Sequence, residues 1–309
     1  MVLNTKPTVT VVLPVHNGEA TIGETVASVL SQTFRDLLLI VVDDGSTDGT
    51  QSALEIVDDS RLLVISTPHS GSAASRNRGV DYVASDFVAF IDADDVWLPT
   101  KLEAQCAALE RMPQAAVAYC WTDYVEADGS FLCPDGRPVF EGWVYEPLLT
   151  HNFIDCGSNI LVRRQALLEV GGFDETLPVL EDWELHLRLA AQAPFVCVPE
   201  ALVHYRQSPG SQSTRIALME ATFLRVVEKI FSRAARPIRS RRNQCMAFFY
   251  MYLAGKATQW VPTRYEWLTA LRLLVKAVQI HPLSLLELWQ RTWVVVRRHR
   301  KLSQRRHEN

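Results

Sequence analysis

Carboxylates dominate the chemistry that this chain can do. Two acidic clusters lie about fifty residues apart, Val41-Val42-Asp43-Asp44-Gly45-Ser46-Thr47-Asp48 and Phe90-Ile91-Asp92-Ala93-Asp94-Asp95. Asp92 and Asp94 stand two apart, and turned toward one point they offer two hard oxygen donors. Such donors suit Mg²⁺ or Mn²⁺, and an ion of this kind typically shares its shell with substrate phosphates. Alone, each cluster is weak. An Asp-Gly-Ser segment is usually a turn, because Asp and Ser bond their own backbone and Gly accepts positive φ. A calcium-loop reading of Asp92 to Glu103 fails, since Val96 falls at loop position 5 and Trp97 occupies the sharp turn that needs Gly. The clusters become specific together, with their surroundings.

Those surroundings are strands and helices in alternation. Leu37 to Val42 and Phe87 to Ile91 are short apolar runs that end at the two clusters and read as buried parallel strands. Carboxylates at the carboxyl ends of such strands sit where open α/β sheets bind ligands. Thr8 to Leu13 is a further strand, ended by Pro14-Val15-His16-Asn17-Gly18. Helices are expected over Glu19–Leu30, near 50–58, over Ser72–Ala84 and from Pro99 onward, with a strand at Leu62–Ile65. This order predicts a mainly parallel sheet flanked by helices. After about residue 112 the alternation loosens. Val117–Trp121, Ser158–Val162 and Phe195–Val198 read as strands, 123–142 as a long loop or hairpin, and Glu181–Ala191 as a helix. Residues 216–232 carry Ile216, Met219, Phe223, Val226, Val227 and Ile230 at helical spacing.

Composition bounds the rest. At 309 residues the chain is long enough for a large domain and a smaller one. No apolar run reaches the roughly 18 residues of a transmembrane helix, and the N-terminus lacks signal-peptide features. The expected location is cytoplasmic, with peripheral attachment to the inner face of the cell membrane as an option. Six cysteines without a Cys-x-x-Cys pair suggest buried free thiols rather than a zinc site. The net charge of −4 conceals a division: residues 1–200 hold 11 Lys+Arg and 30 Asp+Glu, whereas residues 201–309 hold 20 and 5. An acidic half suits metal binding, and a basic end suits anionic lipid, a phosphate-bearing acceptor or nucleic acid. No nucleic-acid-binding motif accompanies the charge, so that partner is not expected.

In order and spacing, the motifs resemble those of inverting glycosyltransferases of family 2. The matching pieces are Leu13 to Asn17, Ser31-Gln32-Thr33, Val42 to Asp48, Gly71 with Ala74 to Gly79, Asp92 to Asp95, Gly171 to Glu175, Glu181 to Leu185, and Tyr205-Arg206. They cover roughly residues 8–215. The resemblance implies a Rossmann-like GT-A catalytic domain over 1–215, with a nucleotide-sugar half to about 112 and an acceptor half after it. A helical basic region fills 216–309. It implies transfer of a sugar from a nucleotide sugar, a UDP-sugar first, to a glycan or lipid-linked glycan acceptor in surface polysaccharide synthesis. It assigns Asp44, with Asp43, to the base N3–H, and Pro14, His16 and Asn17 to the base pocket. Arg76 is assigned to the nucleotide, Asp92 to ribose and metal, and Asp94 to Mn²⁺ or Mg²⁺. Asp182 is the implied general base. Glu181, Trp183, Tyr205 and Arg206 are weaker candidates for acceptor or diphosphate contacts. His16 stands where the family often has another aromatic residue, and His69 where it often has Asn; His69 receives no role.

Two competing classes are a nucleotidyltransferase acting on sugar phosphates and a non-catalytic nucleotide- or glycan-binding module. The first usually has a basic Gly-rich loop after the first strand, and residues 13–25 hold no Lys or Arg. The intact Asp92, Asp94 and Asp182 speak against the second. At the C-terminus, Leu283 to Trp289 and Trp293 to Val296 precede Arg297, Arg298, Arg300 and Lys301. This pattern fits either an interfacial anchor on an anionic membrane or a packed helical subdomain with a solvated tail.

Overall fold

The structure, a computed structural model, describes residues 7–207, 214–232, 234–258 and 263–283. These residues fall into two compact units, one of residues 7–148 with 152–207 and the other of 149–151 with 214–283.

The first unit is built on a nine-stranded sheet. Its first half follows from the strand–helix alternation: β1 (Val9–Val15), α1 (Ile22–Leu30), β2 (Leu37–Asp44), α2 (Thr50–Glu55), β3 (Leu62–Thr67), α3 (Ser72–Asp81) and β4 (Phe87–Phe90). β1 lies between β2 and β4 and pairs with both in parallel, and β3 adds to β2 in parallel. β1 and β2 are buried almost throughout, which is why their sequences are continuous apolar runs rather than alternating ones. Pro14 does not end β1; the strand continues through Pro14, paired with Val42, to Val15, paired with Asp43. β3 is an outer strand and exposes Leu63 and Val64.

The second half is mixed rather than parallel. It contains β5 (Val96–Trp97), α4 (Lys101–Arg111), β6 (Val117–Val125), β7 (Phe131–Pro134), α5 (Tyr145–Thr150), β8 (Leu161–Arg163), α6 (Arg164–Glu169), α7 (Glu181–Ala190) and β9 (Phe195–Arg206). β8 joins antiparallel to β4 and β6, β9 runs parallel to β6, and β5 lies antiparallel on β9. The loop-or-hairpin expectation for 123–142 resolves as β7 folded back on β6. Val11, Leu13, Leu39, Val41, Ala89, Leu161 and Val196 meet Val26, Leu102 and Leu109 of the flanking helices in one buried cluster. All six cysteines are free, and five of them are buried.

The second unit is helical: α8 (Ile216–Phe231), the single turn α9 (Arg236–Arg239), α10 (Arg242–Ala257) and α11 (Arg264–Ile280). Phe223 of α8 stacks on Phe249 of α10 at 3.7 Å between ring centroids. The buried Glu220 carboxylate accepts from Arg272 at 2.9 Å and Lys276 at 2.6 Å, tying α8 to α11. Thr263 and Glu266 close a capping box at the start of α11. No helix among the described residues is long and apolar enough to cross a membrane. The anchor expected over 283–306 lies outside the described residues, apart from Leu283.

Candidate active site

The site forms where β1, β2 and β4 end. Their parallel register brings the turns after Val15, Asp44 and Phe90 to one edge, on either side of the central β1. The first two turns are laced together. Asn17 N donates to Ser46 Oγ at 2.9 Å, and Thr47 N donates to Asn17 Oδ1 at 2.8 Å. Asn17 takes φ 54°, a left-handed conformation that Asn tolerates.

Asp43 and Asp44 divide their work. Asp44 is buried, and its carboxylate accepts from Ser70 N at 2.7 Å and Gly71 N at 2.8 Å. Burial alone would raise its pKa, but these hydrogen bonds prevail and hold it below the usual value. Asp44 therefore fixes the turn that leads into α3. Asp43 accepts from Ser46 N at 3.0 Å through Oδ1, while its buried Oδ2 has no hydrogen-bond partner among the described residues. His16 and His69 sit at the same edge with ring centroids 4.2 Å apart. His16 Nδ1 lies 2.8 Å from the Asp44 carbonyl oxygen, and His69 Nδ1 lies 2.9 Å from Asp44 Oδ2. His69, to which the motifs give no role, thus builds half of an exposed aromatic pair. Its signal is spatial, because 53 residues separate it from His16. Pro14 is buried in β1 beneath this edge.

Arg76 differs from expectation. The resemblance implies a nucleotide contact, yet its guanidinium is buried and committed to two carboxylates. Nη2 donates to Asp92 Oδ1 at 2.5 Å, and Nη1 donates to Glu181 Oε1 at 2.7 Å. Burial would lower its pKa, but the Asp92 and Glu181 charges outweigh that and raise it. Arg76 is a clamp between the end of β4 and the start of α7. Glu181 is correspondingly its partner and is not presented to an acceptor. Gly79, one turn later on α3, lets that helix approach β1: a Cβ there would meet Val12 Cγ1 at 2.4 Å.

The Asp92–Asp95 turn is held from below. Ser158 Oγ donates to Asp95 and accepts from Asp92 N at 2.9 Å. Arg206 donates from N to Asp95 Oδ1 at 3.1 Å, from Nε to Asp94 O at 2.9 Å and from Nη2 to Glu24 at 2.5 Å. Arg206 is therefore a buried pin behind the turn rather than a diphosphate contact. Asp95 is buried and its pKa is raised, by burial first and then by Asp94 and Asp92. Asp94 is half-buried and pushed up to about 6, by burial first and by the Asp92 charge second. Asp92 is paired with Arg76 and the Arg206 charge opposes the shift of Asp94, and the all-oxygen donor set of Asp92 and Asp94 fits Mg²⁺ or Mn²⁺.

α7 supplies the third element. Its first turn carries Glu181, Asp182 and Glu184. Glu181 is paired with Arg76 and Glu184 with Arg188 at 2.6 Å, so Asp182 stands outside both ion pairs. Its pKa is pushed up to about 7, by burial first and then by Glu181, against the opposing charge of Arg76. His186, one turn on, is excluded as a base near neutral pH, because burial and Arg76 hold its pKa to about 3. A Cβ placed on Gly157 would lie 3.3 Å from Arg76 Nη2, 3.7 Å from Asp92 Oδ2 and 3.7 Å from Asp182 Cβ. These three side chains therefore converge on one small space that only a glycine leaves open. Trp183, a weaker acceptor candidate, is buried and donates from Nε1 to Leu148 O at 3.1 Å. Tyr205 packs edge-on to Tyr124 at 5.7 Å.

Comparison with known proteins identifies the family. The family model "Glycosyltransferase like family 2" matches residues 10–256. The chain belongs to glycosyltransferase family 2. AmsB, an amylovoran biosynthesis glycosyltransferase of Erwinia amylovora, is 30% identical over 83% of this chain and 84% of its own length. TuaG of Bacillus subtilis (strain 168), named for teichuronic acid biosynthesis, is 35% identical over 52% of this chain. WfgD of Escherichia coli, a UDP-Glc:alpha-D-GlcNAc-diphosphoundecaprenol beta-1,3-glucosyltransferase, is 30% identical over 50%. The chain spans only 65% of TuaG and 60% of WfgD. Among solved structures, S. aureus TarS 1-349 in complex with UDP-GlcNAc superposes with TM-score 0.63 at 18% identity, covering 88% of this chain and 81% of that one. The mannosyltransferase PcManGT of Pyrobaculum calidifontis, in complex with GDP-Man and Mn²⁺, does so with TM-score 0.61 at 17% identity, covering 97% and 84%. At such identities these likenesses concern the fold, which is of the GT-A type.

Proposed function

We propose that the protein transfers a sugar from a UDP-sugar to a lipid-linked glycan acceptor, with inversion, in the assembly of a cell-surface polysaccharide. The carrying observation is the convergence of Asp92 and Asp182 with Arg76 around Gly157, at the carboxyl ends of parallel strands, with Asp94 two residues on from Asp92 in the same turn. The base lies over the His16–His69 pair, with Asp43 Oδ2 as the unsatisfied acceptor beneath it. Asp44 shapes this pocket through Ser70 and Gly71. Asp94 and Asp92 would hold Mn²⁺ or Mg²⁺, which when bound offsets charge on the leaving diphosphate. Among the described residues no three His, Cys, Asp or Glu side chains form a cage, so the shell needs donor phosphates and water. Asp182 accepts the proton of the attacking acceptor hydroxyl. A pKa near 7 suits that task, since a base works best when its pKa lies close to the operating pH.

The names of WfgD and of the surface-polysaccharide relatives support the acceptor class, and TarS with UDP-GlcNAc supports the donor class. The competing nucleotide is GDP, as in PcManGT. Calorimetric titration with UDP, GDP and dTDP in the presence of Mn²⁺ tests the donor reading. UDP is expected to bind tightest, and tighter binding of GDP would overturn it.

A further inference from the structure

The mechanism leaves the outer face of α11 unused, and this face is unusual. Ala270, Leu273 and Ala277 are its buried positions. On the opposite side Trp267, Leu271 and Val275 follow one another at i, i+4 and i+8, with Leu268 beside them. They are 60%, 58%, 46% and 58% exposed, and Tyr265 at the start of the helix is 78% exposed. No other helix or strand among the described residues exposes more than two large apolar side chains. Leu224 of α8 extends the patch into a groove shared with Tyr265 and Leu268, bordered by Lys256 and Arg272. α11 is apolar well beyond its buried stripe, with Thr269, Arg272 and Lys276 on its polar side. Here one side of it faces outward.

Charge identifies what that environment is. The described residues 214–283 hold 11 Lys+Arg against 3 Asp+Glu. A second copy would bring the same positive charge to the contact. The chain from 297 onward is also basic, with 6 Lys+Arg against 1 Asp+Glu. Both are electrostatically mismatched, whereas an anionic lipid surface is complementary. Trp and Tyr at the edge of an apolar stripe, with Arg and Lys able to reach phosphate headgroups, are the composition of an interfacial helix.

We infer that the outer face of α11 is a membrane-docking surface that seats Trp267, Leu268, Leu271 and Val275 among the acyl chains of an anionic bilayer. The purpose of this docking rests on the lipid-linked acceptor proposed above. Its test does not, because vesicle binding is read without donor or acceptor. The full chain is sedimented with vesicles of phosphatidylcholine and phosphatidylglycerol at low and high salt. The triple variant Trp267→Ser, Leu271→Ser, Val275→Ser is compared with it after circular dichroism and thermal melting confirm the fold. The expected result is binding that falls as salt rises and is weakened at least about tenfold in the variant, since burial of exposed apolar side chains is lost. Should the triple variant unfold, the single exposed substitution Leu271→Glu must give the same loss. Equal vesicle binding by parent and folded variant would overturn the inference, as would an unbound parent at low salt. A concentration-dependent dimer seen by analytical ultracentrifugation, abolished by the same substitutions, would also overturn it and assign the face to a second copy.

Discussion

In the proposed reaction the chemistry turns on Asp182, and its environment leads to two measurements. Replacing it with Asn should lower turnover by roughly 10²–10⁴, the usual scale for general-base catalysis, with little change in UDP affinity. In the parent protein kcat/KM should rise with pH and level off above about 7, because the base must be ionised and its pKa is pushed up to about 7. The same shift affects stability. A carboxyl that holds its proton more tightly in the folded state than in the unfolded one loses stability as pH rises from its ordinary value of 3.8 toward 7. Asp182→Asn should therefore raise Tm at pH 8 by about 2–4 °C or more, with a smaller gain at pH 4. An unchanged Tm at pH 8 together with an acid limb near pH 4 would contradict the assigned environment. At the other end of the site, His69→Ala should weaken UDP binding by roughly two- to tenfold, the range for loss of an aromatic contact. Unaltered affinity by calorimetry would remove His69 from the base pocket.

At the scale of elements, the site depends on how closely backbone segments approach. Gly157 adds nothing to the chemistry itself but leaves the space in which Arg76, Asp92 and Asp182 meet. Gly157→Ala places a methyl group there, in ordinary contact with Asp92 and Asp182 and crowding Arg76 Nη2 at 3.3 Å. Activity should fall by tenfold or more, on the scale of a small misplacement of reacting groups, while the melting temperature stays within a few degrees. Wild-type kinetics in this variant would show that the three side chains act apart from one another. Much of this arrangement was legible in the sequence. The apolar runs before Asp43 and Asp92 marked buried parallel strands, and the Asp-x-Asp spacing marked one turn of hard donors. The rest depended on long-range packing, which leaves no local pattern. Arg76 meets Glu181 across 105 residues, and Arg206 reaches Asp94 across 112. The resemblance assigns Arg76 to the nucleotide and Arg206 to an acceptor or diphosphate, and the partners that hold both arginines are far away in the chain. Ser158 and Gly157 gave no signal at all, since small residues before a strand are common. The sequence offers Trp183 as an acceptor candidate, and its burial and bond to Leu148 follow from packing that leaves no local pattern.

Across the whole molecule, charge separates along the chain. The acidic half contains the carboxylates of the candidate site, and the basic half contains helices with an outward apolar face. This division is visible in the sequence as a count, but the helix that carries the face is not, because which of its apolar residues are covered depends on packing against the other helices. The proposed reaction fits this division: metal would compensate the carboxylates of the acidic part of the chain, and lipid phosphates the arginines of its basic part. The most direct test of this account is release of UDP from a panel of UDP-sugars by the full chain, measured with and without Mn²⁺ and repeated with Asp94→Asn. The account predicts release from at least one UDP-sugar that depends on Mn²⁺ and is largely lost in the folded Asp94→Asn protein. Release that is equal with and without Mn²⁺, or undiminished in Asp94→Asn, would contradict it.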